Sequence, residues 1–155
     1  MIDTHSHVFL PQFSGDLASV EERARQEGVS RILLPNVDSG SIEALRKTLH
    51  RDRVLYGAMM GLHPCSVKEG WEDELSRIHD ELLANRADYL AIGEIGLDLY
   101  WEKDTLEMQQ SALRTQFNWA IRENLPVSIH CREAFDPLFE VLEEFVGKGL
   151  NGVLH

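Results

Sequence analysis

The chain has 155 residues, 43% of them hydrophobic and 26% charged, the balance of an ordinary globular domain that builds its own core. Its formal net charge of −11 argues against a broad nucleic-acid-binding surface, because proteins that grip a duplex through many phosphates present a basic face. Two cysteines, Cys65 and Cys131, make no disulfide framework and point to a reducing, cytoplasmic setting, and no apolar stretch nears the ~20 residues of a membrane span.

Residues 1–5 form a brief strand candidate that runs into His5-Ser6-His7. Leu17, Val20 and Ala24 then repeat at helical spacing, and Gly28 suits a C-cap. A second strand is predicted over 31–37, with Ile42, Leu45 and Leu49 marking the helix after it. Residues 54–62 give the third strand, His63 follows it, and Trp71, Leu75, Ile78 and Leu82 share one helical face. The fourth strand spans 89–93 and is followed at once by Glu94. A long helix over about 105–123 turns Leu106, Leu113, Phe117 and Ile121 inward. The fifth strand, 126–130, ends on His130, and Phe135, Leu138, Phe139, Leu142 and Phe145 stripe the next helix. Residues 152–155 open a sixth strand that ends on His155.

Strict alternation of strand and helix calls for a parallel sheet with helices outside it. No Gly-x-Gly-x-x-Gly or Walker sequence follows a strand, which removes support from nucleotide-binding doubly wound folds. The strands end instead in metal-ligand chemistry, and (β/α)-barrels gather their sites at the C-terminal strand ends. A barrel of eight units needs ~250 residues. The sequence is therefore expected to be one domain, 1–155, covering about the first five and a half units of an α/β (β/α)8 TIM-like barrel and leaving its sheet open.

Four histidines and a glutamate at predicted strand ends form the candidate metal site. His5 and His7, two residues apart on an extended segment, point to one side and can reach one ion. Glu94 sits between Gly93 and Gly96, where a carboxylate is costly to bury unless paired or coordinated. It either bridges two ions or anchors its loop through backbone N–H groups. Asp98 is read as a residue that orients a ligand or the loop. Any one of His130 and His155 could be a core histidine, but the combination is a metal-site pattern. His63 is assigned to substrate contact, because five ligands already serve two ions. Arg132 suits an anionic group such as a phosphate, against the alternative of an ion pair with Glu133, Asp136 or Glu94. Cys131 reads as a small packed side chain, and His50 and His79, in helices, as non-functional.

Ile2-Asp3-Thr4-His5-Ser6-His7, Gly61-Leu62-His63-Pro64, Ile92-Gly93-Glu94-Ile95-Gly96-Leu97-Asp98, Pro126-Val127-Ser128-Ile129-His130-Cys131-Arg132 and Gly152-Val153-Leu154-His155 together resemble the TatD family of metal-dependent deoxyribonucleases, in the amidohydrolase superfamily. The resemblance implies a TIM-like barrel, two divalent metal ions (zinc, manganese or magnesium) and hydrolysis of phosphodiesters, often trimming DNA from its 3′ end. It implies that His5 and His7 hold one ion, His130 and His155 the other, and that Glu94 bridges. The implied partner is DNA or a small phosphodiester, with no membrane and no obligate protein partner. The family's late aspartate, near the eighth strand, is both a ligand and the base for the attacking water. It has no counterpart here, so the catalytic residue is expected beyond His155. Two other readings compete: a superfamily hydrolase acting on an amide, lactone or phosphotriester, and a partial barrel without activity.

Overall fold

A computed structural model describes residues 1–155. The chain order is β1 (Ile2–Asp3), α1 (Leu17–Gln26), β2 (Arg31–Pro35), α2 (Ile42–Arg51), β3 (Tyr56–Met60), α3 (Trp71–Ala84), β4 (Tyr89–Asp98), α4 (Leu106–Glu123), β5 (Val127–Arg132), α5 (Phe135–Glu143) and β6 (Gly152–Leu154). The six strands pair in sequence order, every pair parallel, so each helix is a crossover returning the chain to the same end of the sheet. The sheet is a curled part-barrel: β1 and β6 pair on one side only, yet the rings of His5 and His155, one beyond each of these strands, lie 3.9 Å apart. A sheet curled this way brings the C-terminal ends of all its strands towards one axis.

The apolar residues bury as a single cluster between sheet and helices. Leu34, Met60, Ile92 and Leu97 from the strands pack in it with Leu45, Ile78, Leu82, Phe117, Leu138 and Val141 from the helices. Strands covered by helices read as continuous apolar runs rather than alternating ones, and all five residues of β3 are buried.

Two departures from the predicted elements bear on the site. β1 ends at Asp3, so His5 and His7 follow the strand instead of lying on it, although Ser6 N still donates to Leu33 O at 3.0 Å and keeps the segment extended. β4 runs on to Asp98, five residues past its predicted end, because β5 continues to pair with it through Leu97↔Cys131 and Asp98↔Arg132. Between Ile92↔Val127 and Ile95↔Ile129, β4 spends three steps against two on β5. That bulge adds one residue at Gly93-Glu94 and re-aims the rest of the strand, as bulges beside active sites commonly do. Gly96 is required there: its φ is +147°, and a Cβ would overlap the His130 carbonyl.

Candidate metal centre

Backbone contacts fix Glu94 before its side chain meets anything. Asn36, wholly buried just past β2, donates its N–H to Gly93 O at 3.1 Å and accepts the Glu94 N–H at 3.2 Å, linking β2 to β4 beyond the end of the β3 ladder. Its side chain donates to Gly61 O at 2.9 Å and accepts from Ser41 Oγ at 2.9 Å. Two glutamines of α4 do the same for neighbouring strand ends. Gln116 accepts the Leu62 N–H at 2.7 Å and donates to Leu62 O, while Gln109 accepts the Asp98 N–H at 2.8 Å and donates to Asp98 O at 3.0 Å. Where the ladder splays, backbone groups lose their strand partners, and buried amides replace them. Sequence patterning missed these three residues, because a glutamine on a helix reads as solvated surface. Their only signal was the seven-residue spacing of Gln109 and Gln116, which places both on the face that carries Leu113 and Phe117.

The Glu94 carboxylate, 2% exposed as a residue, is approached by imidazoles from two sides. His5 Nε2 and His7 Nε2 lie 3.0 and 3.2 Å from Oε2, and 3.3 Å from each other. His130 Nδ1 and His155 Nε2 lie 3.0 and 2.8 Å from Oε1, with His63 Nε2 at 3.6 Å. Two sets of ligand atoms fall within 4.8 Å of one another, His5-His7-Glu94 and His63-Glu94-His130. His155, expected beside His130, has its ring 6.0 Å from that of His130 and closer to His5.

The donor set fits a divalent cation better than it fits itself. Ligand atoms ~2.0–2.1 Å from a tetrahedral ion are ~3.3–3.4 Å apart, close to the edges of the Nε2–Nε2–Oε2 triangle. Nδ1 of His5 and of His7 is buried and has no hydrogen-bond partner, so neither ring is held in place by the protein through its far nitrogen. Every ion-pair partner of Glu94 is an imidazole; none is a lysine or arginine. Burial alone would raise the Glu94 pKa, but hydrogen bonds from His130, His5 and His7 outweigh it and hold the carboxyl below its ordinary value of 4.5. An ionised carboxylate out of water costs several kcal/mol unless opposite charge faces it. Imidazoles that serve as metal ligands are neutral and do not supply that charge, and cations held among them would.

The remaining site residues have distinct surroundings. His130 points Nδ1 at Glu94 and Nε2 at Asp98 Oδ2, 3.0 Å away, the carboxylate–histidine arrangement that fixes a ligand's tautomer. Burial would lower its pKa, but the two carboxylates prevail and raise it above 6.5. Asp98, 1% exposed, also accepts the N–H groups of Tyr100 and Trp101 at 3.0 and 2.8 Å through Oδ1. It thus holds both the His130 ring and its own loop, the two roles the sequence left open. His63 accepts the Cys65 N–H on Nδ1 at 3.1 Å. Burial drives its pKa down to about 4, so the ring is neutral and its single proton sits on Nε2. That nitrogen is a donor, not a lone pair. Arg132 makes no ion pair with Glu133, Asp136 or Glu94. Its guanidinium lies over the Tyr100 ring, 3.8 Å from the centroid. His50 pairs with Asp88 and Arg53, and His79 stacks on Trp119, both far from the centre along the chain and partly exposed. No helix is long and apolar enough to cross a membrane.

The chain is similar to metal-dependent hydrolases and TatD homologues. The YabD protein of Bacillus subtilis (strain 168), an uncharacterized metal-dependent hydrolase, is 32% identical over 155 residues, 100% of this chain and 60% of its own length. The 3'-5' ssDNA/RNA exonuclease TatD of Pantoea ananatis (strain LMG 20103) is 30% identical over 155 residues, 100% of this chain and 59% of that protein. Among solved structures, YJJV, a TatD homolog from Escherichia coli K12, superposes with a TM-score of 0.85 at 33% identity, over 93% of this chain and 55% of that one. The chain thus spans little more than half the length of these relatives. The sequence signature described as TatD related DNase matches residues 2–155, and the chain belongs to that family of metal-dependent hydrolases.

Proposed function

We propose that the chain carries the histidine and glutamate ligands of a two-metal phosphodiesterase that acts on nucleic-acid ends. One observation bears most of the weight: the two oxygens of Glu94 face different imidazoles, His5 and His7 at Oε2, His130 and His155 at Oε1. A carboxylate placed this way would be shared by two cations. A histidine-rich set suits zinc or manganese better than magnesium, which prefers oxygen.

Ions held by these residues would supply Lewis-acid activation of water and charge neutralisation at phosphorus. The protein's own groups do the rest. Glu94 offsets the mutual repulsion of two close cations. Asp98 holds the His130 ring so that Nδ1 faces inward. His63, neutral with its proton on Nε2, donates towards a phosphate oxygen at the mouth. Arg132, with no carboxylate partner, is free to take a second oxygen of the same anion. Nucleic acid as the substrate is supported by the relatives named for single-stranded DNA and RNA exonuclease activity.

The test is metal counting together with hydrolysis. Elemental analysis should find two ions per chain, with His5→Ala and His7→Ala losing one and His130→Ala and His155→Ala the other. A form of the protein that includes the expected late aspartate should, with manganese, shorten a 5′-labelled single-stranded DNA from its 3′ end. Retention of both ions in any of the four variants removes that residue from the ligand set. A DNA left intact by that metal-loaded form overturns the nuclease reading.

A further inference from the structure

Just outside the metal centre, the loop after β4 exposes two large aromatic rings where a soluble protein would ordinarily hide them. Trp101 is 65% and Tyr100 42% exposed. Their rings meet edge to face, with centroids 4.6 Å apart at 88°. Arg132 lies over both, 3.8 Å from the Tyr100 centroid and 5.5 Å from that of Trp101. The chain's charge is −11, yet this guanidinium has no carboxylate partner, so the patch is a local exception to an acidic protein. It is also rigidly placed. The buried carboxylate of Asp98 holds the backbone N–H groups of Tyr100 and Trp101 with one oxygen and His130 with the other. One side chain thus sets the distance from the aromatic pair to the metal centre.

We propose that Trp101, backed by Tyr100 and Arg132, is a stacking platform for a base of single-stranded nucleic acid, seating the nucleotide whose phosphate enters the metal centre. The proposal rests on the nuclease reading and extends it to how the polymer is held. An exposed indole offers a flat face to any base, and stacking of this kind tolerates sequence while demanding that the base be unpaired. The guanidinium serves the other half of the nucleotide, as a cation beside aromatic faces that can take a phosphate oxygen. A duplex presents no free base face, which limits the site to strand ends and single strands. A globally acidic protein can work this way because recognition depends on one base and one phosphate, not on a basic groove.

The experiment separates stacking from phosphate binding and from hydrolysis. Fluorescence anisotropy of a labelled thymidine octamer and of an abasic octamer of equal length is measured at low salt with EDTA, so that nothing is cleaved. The wild-type chain is expected to bind the thymidine octamer at least about tenfold more tightly than the abasic one. Trp101→Ala should erase that difference while leaving abasic binding unchanged, and Trp101→Phe should keep most of it. Arg132→Ala should weaken both oligonucleotides by the same factor. The ring of Trp101 is mostly in solvent, so its removal does not threaten the fold, which circular dichroism would verify. Equal wild-type affinity for the two octamers, or a Trp101→Ala protein that still prefers thymidine, overturns the platform. Hydrolysis of bis(p-nitrophenyl) phosphate, a diester without bases, by a form that includes the expected late aspartate reports on the metal centre alone, so failure there strikes the nuclease reading and not the stacking one.

Discussion

Two glutamates are buried in this molecule, at opposite ends of the sheet, and they are neutralised differently. Glu21 of α1, 7% exposed, lies near the N-terminal strand ends, where it accepts Arg51 Nε at 2.9 Å and Tyr56 Oη–H at 3.0 Å. The chain itself supplies its counter-charge and its hydrogen bonds. Glu94, at the C-terminal strand ends, is more deeply buried and has five imidazoles around it but no permanent cation. One carboxylate is a finished structural contact; the other is held only by titratable imidazoles, and the proposed cations would complete it. In a parallel α/β sheet this asymmetry is the division between the end that stabilises and the end that reacts.

Neutralising each glutamate without changing its shape puts this contrast under the most severe test. Glu94→Gln should abolish retention of the ions and lower hydrolysis by about a thousandfold, the equivalent of ~4 kcal/mol of lost charge stabilisation. With EDTA present the same variant should lose only about 1 kcal/mol of stability, because it weakens the hydrogen bonds from His130, His5 and His7 that keep the carboxyl ionised but leaves no permanent cation unpaired. A marked loss of metal-free stability in Glu94→Gln would mean that the imidazoles already satisfy it.

Chelation comes next. If ions complete the Glu94 end, then saturating metal at a hundred times its dissociation constant adds ~2.7 kcal/mol per site, all of it lost in EDTA. Thermal unfolding with and without chelator measures this, and an unchanged midpoint would contradict a metal-completed site. Glu21→Gln should show a smaller and metal-independent effect. Losing the charged pair with Arg51 and weakening the Tyr56 contact should cost about 1–2 kcal/mol in urea unfolding, the same in EDTA as in zinc. A cost that depends on metal would tie Glu21 to the other end of the molecule.

The smallest effect concerns pH at the closed end. The Arg53 guanidinium first, and His50 after it, hold the Asp88 carboxyl below its ordinary value of 3.8. A carboxylate whose folded pKa is depressed stabilises the protein above the unfolded value, and this contribution fades as pH falls through the folded one. Wild type should therefore exceed Asp88→Asn slightly in urea midpoint at pH 6, and the gap should narrow below about pH 4 and close as acid is added. A gap that widens in acid would reverse the sign and exclude the pairing.

Much of the site was legible in the sequence because parallel strands impose a rule: residues just past apolar runs arrive at one end of the sheet. His5, His7, His63, Glu94, His130 and His155 obey it, and all lie around one carboxylate. The run of alternating elements likewise determined a parallel sheet with outer helices. The features that the sequence could not reveal depend on register and on long-range partners. The bulge at Gly93-Glu94 is a property of β4 pairing with β5, so the strand seemed to stop where it only changed register. Burial of Gln109, Gln116 and Asn36 comes from backbone groups left open elsewhere in the chain, which no local pattern encodes. The proton of His63 was likewise decided in three dimensions, by the Cys65 N–H folding back onto Nδ1 and by the burial that keeps the ring neutral. So was the fate of Arg132, for which the sequence offered a phosphate or a carboxylate. Only the fold brings it over Tyr100 and away from every carboxylate, because the turn that Asp98 closes carries the aromatic rings back across the end of β5.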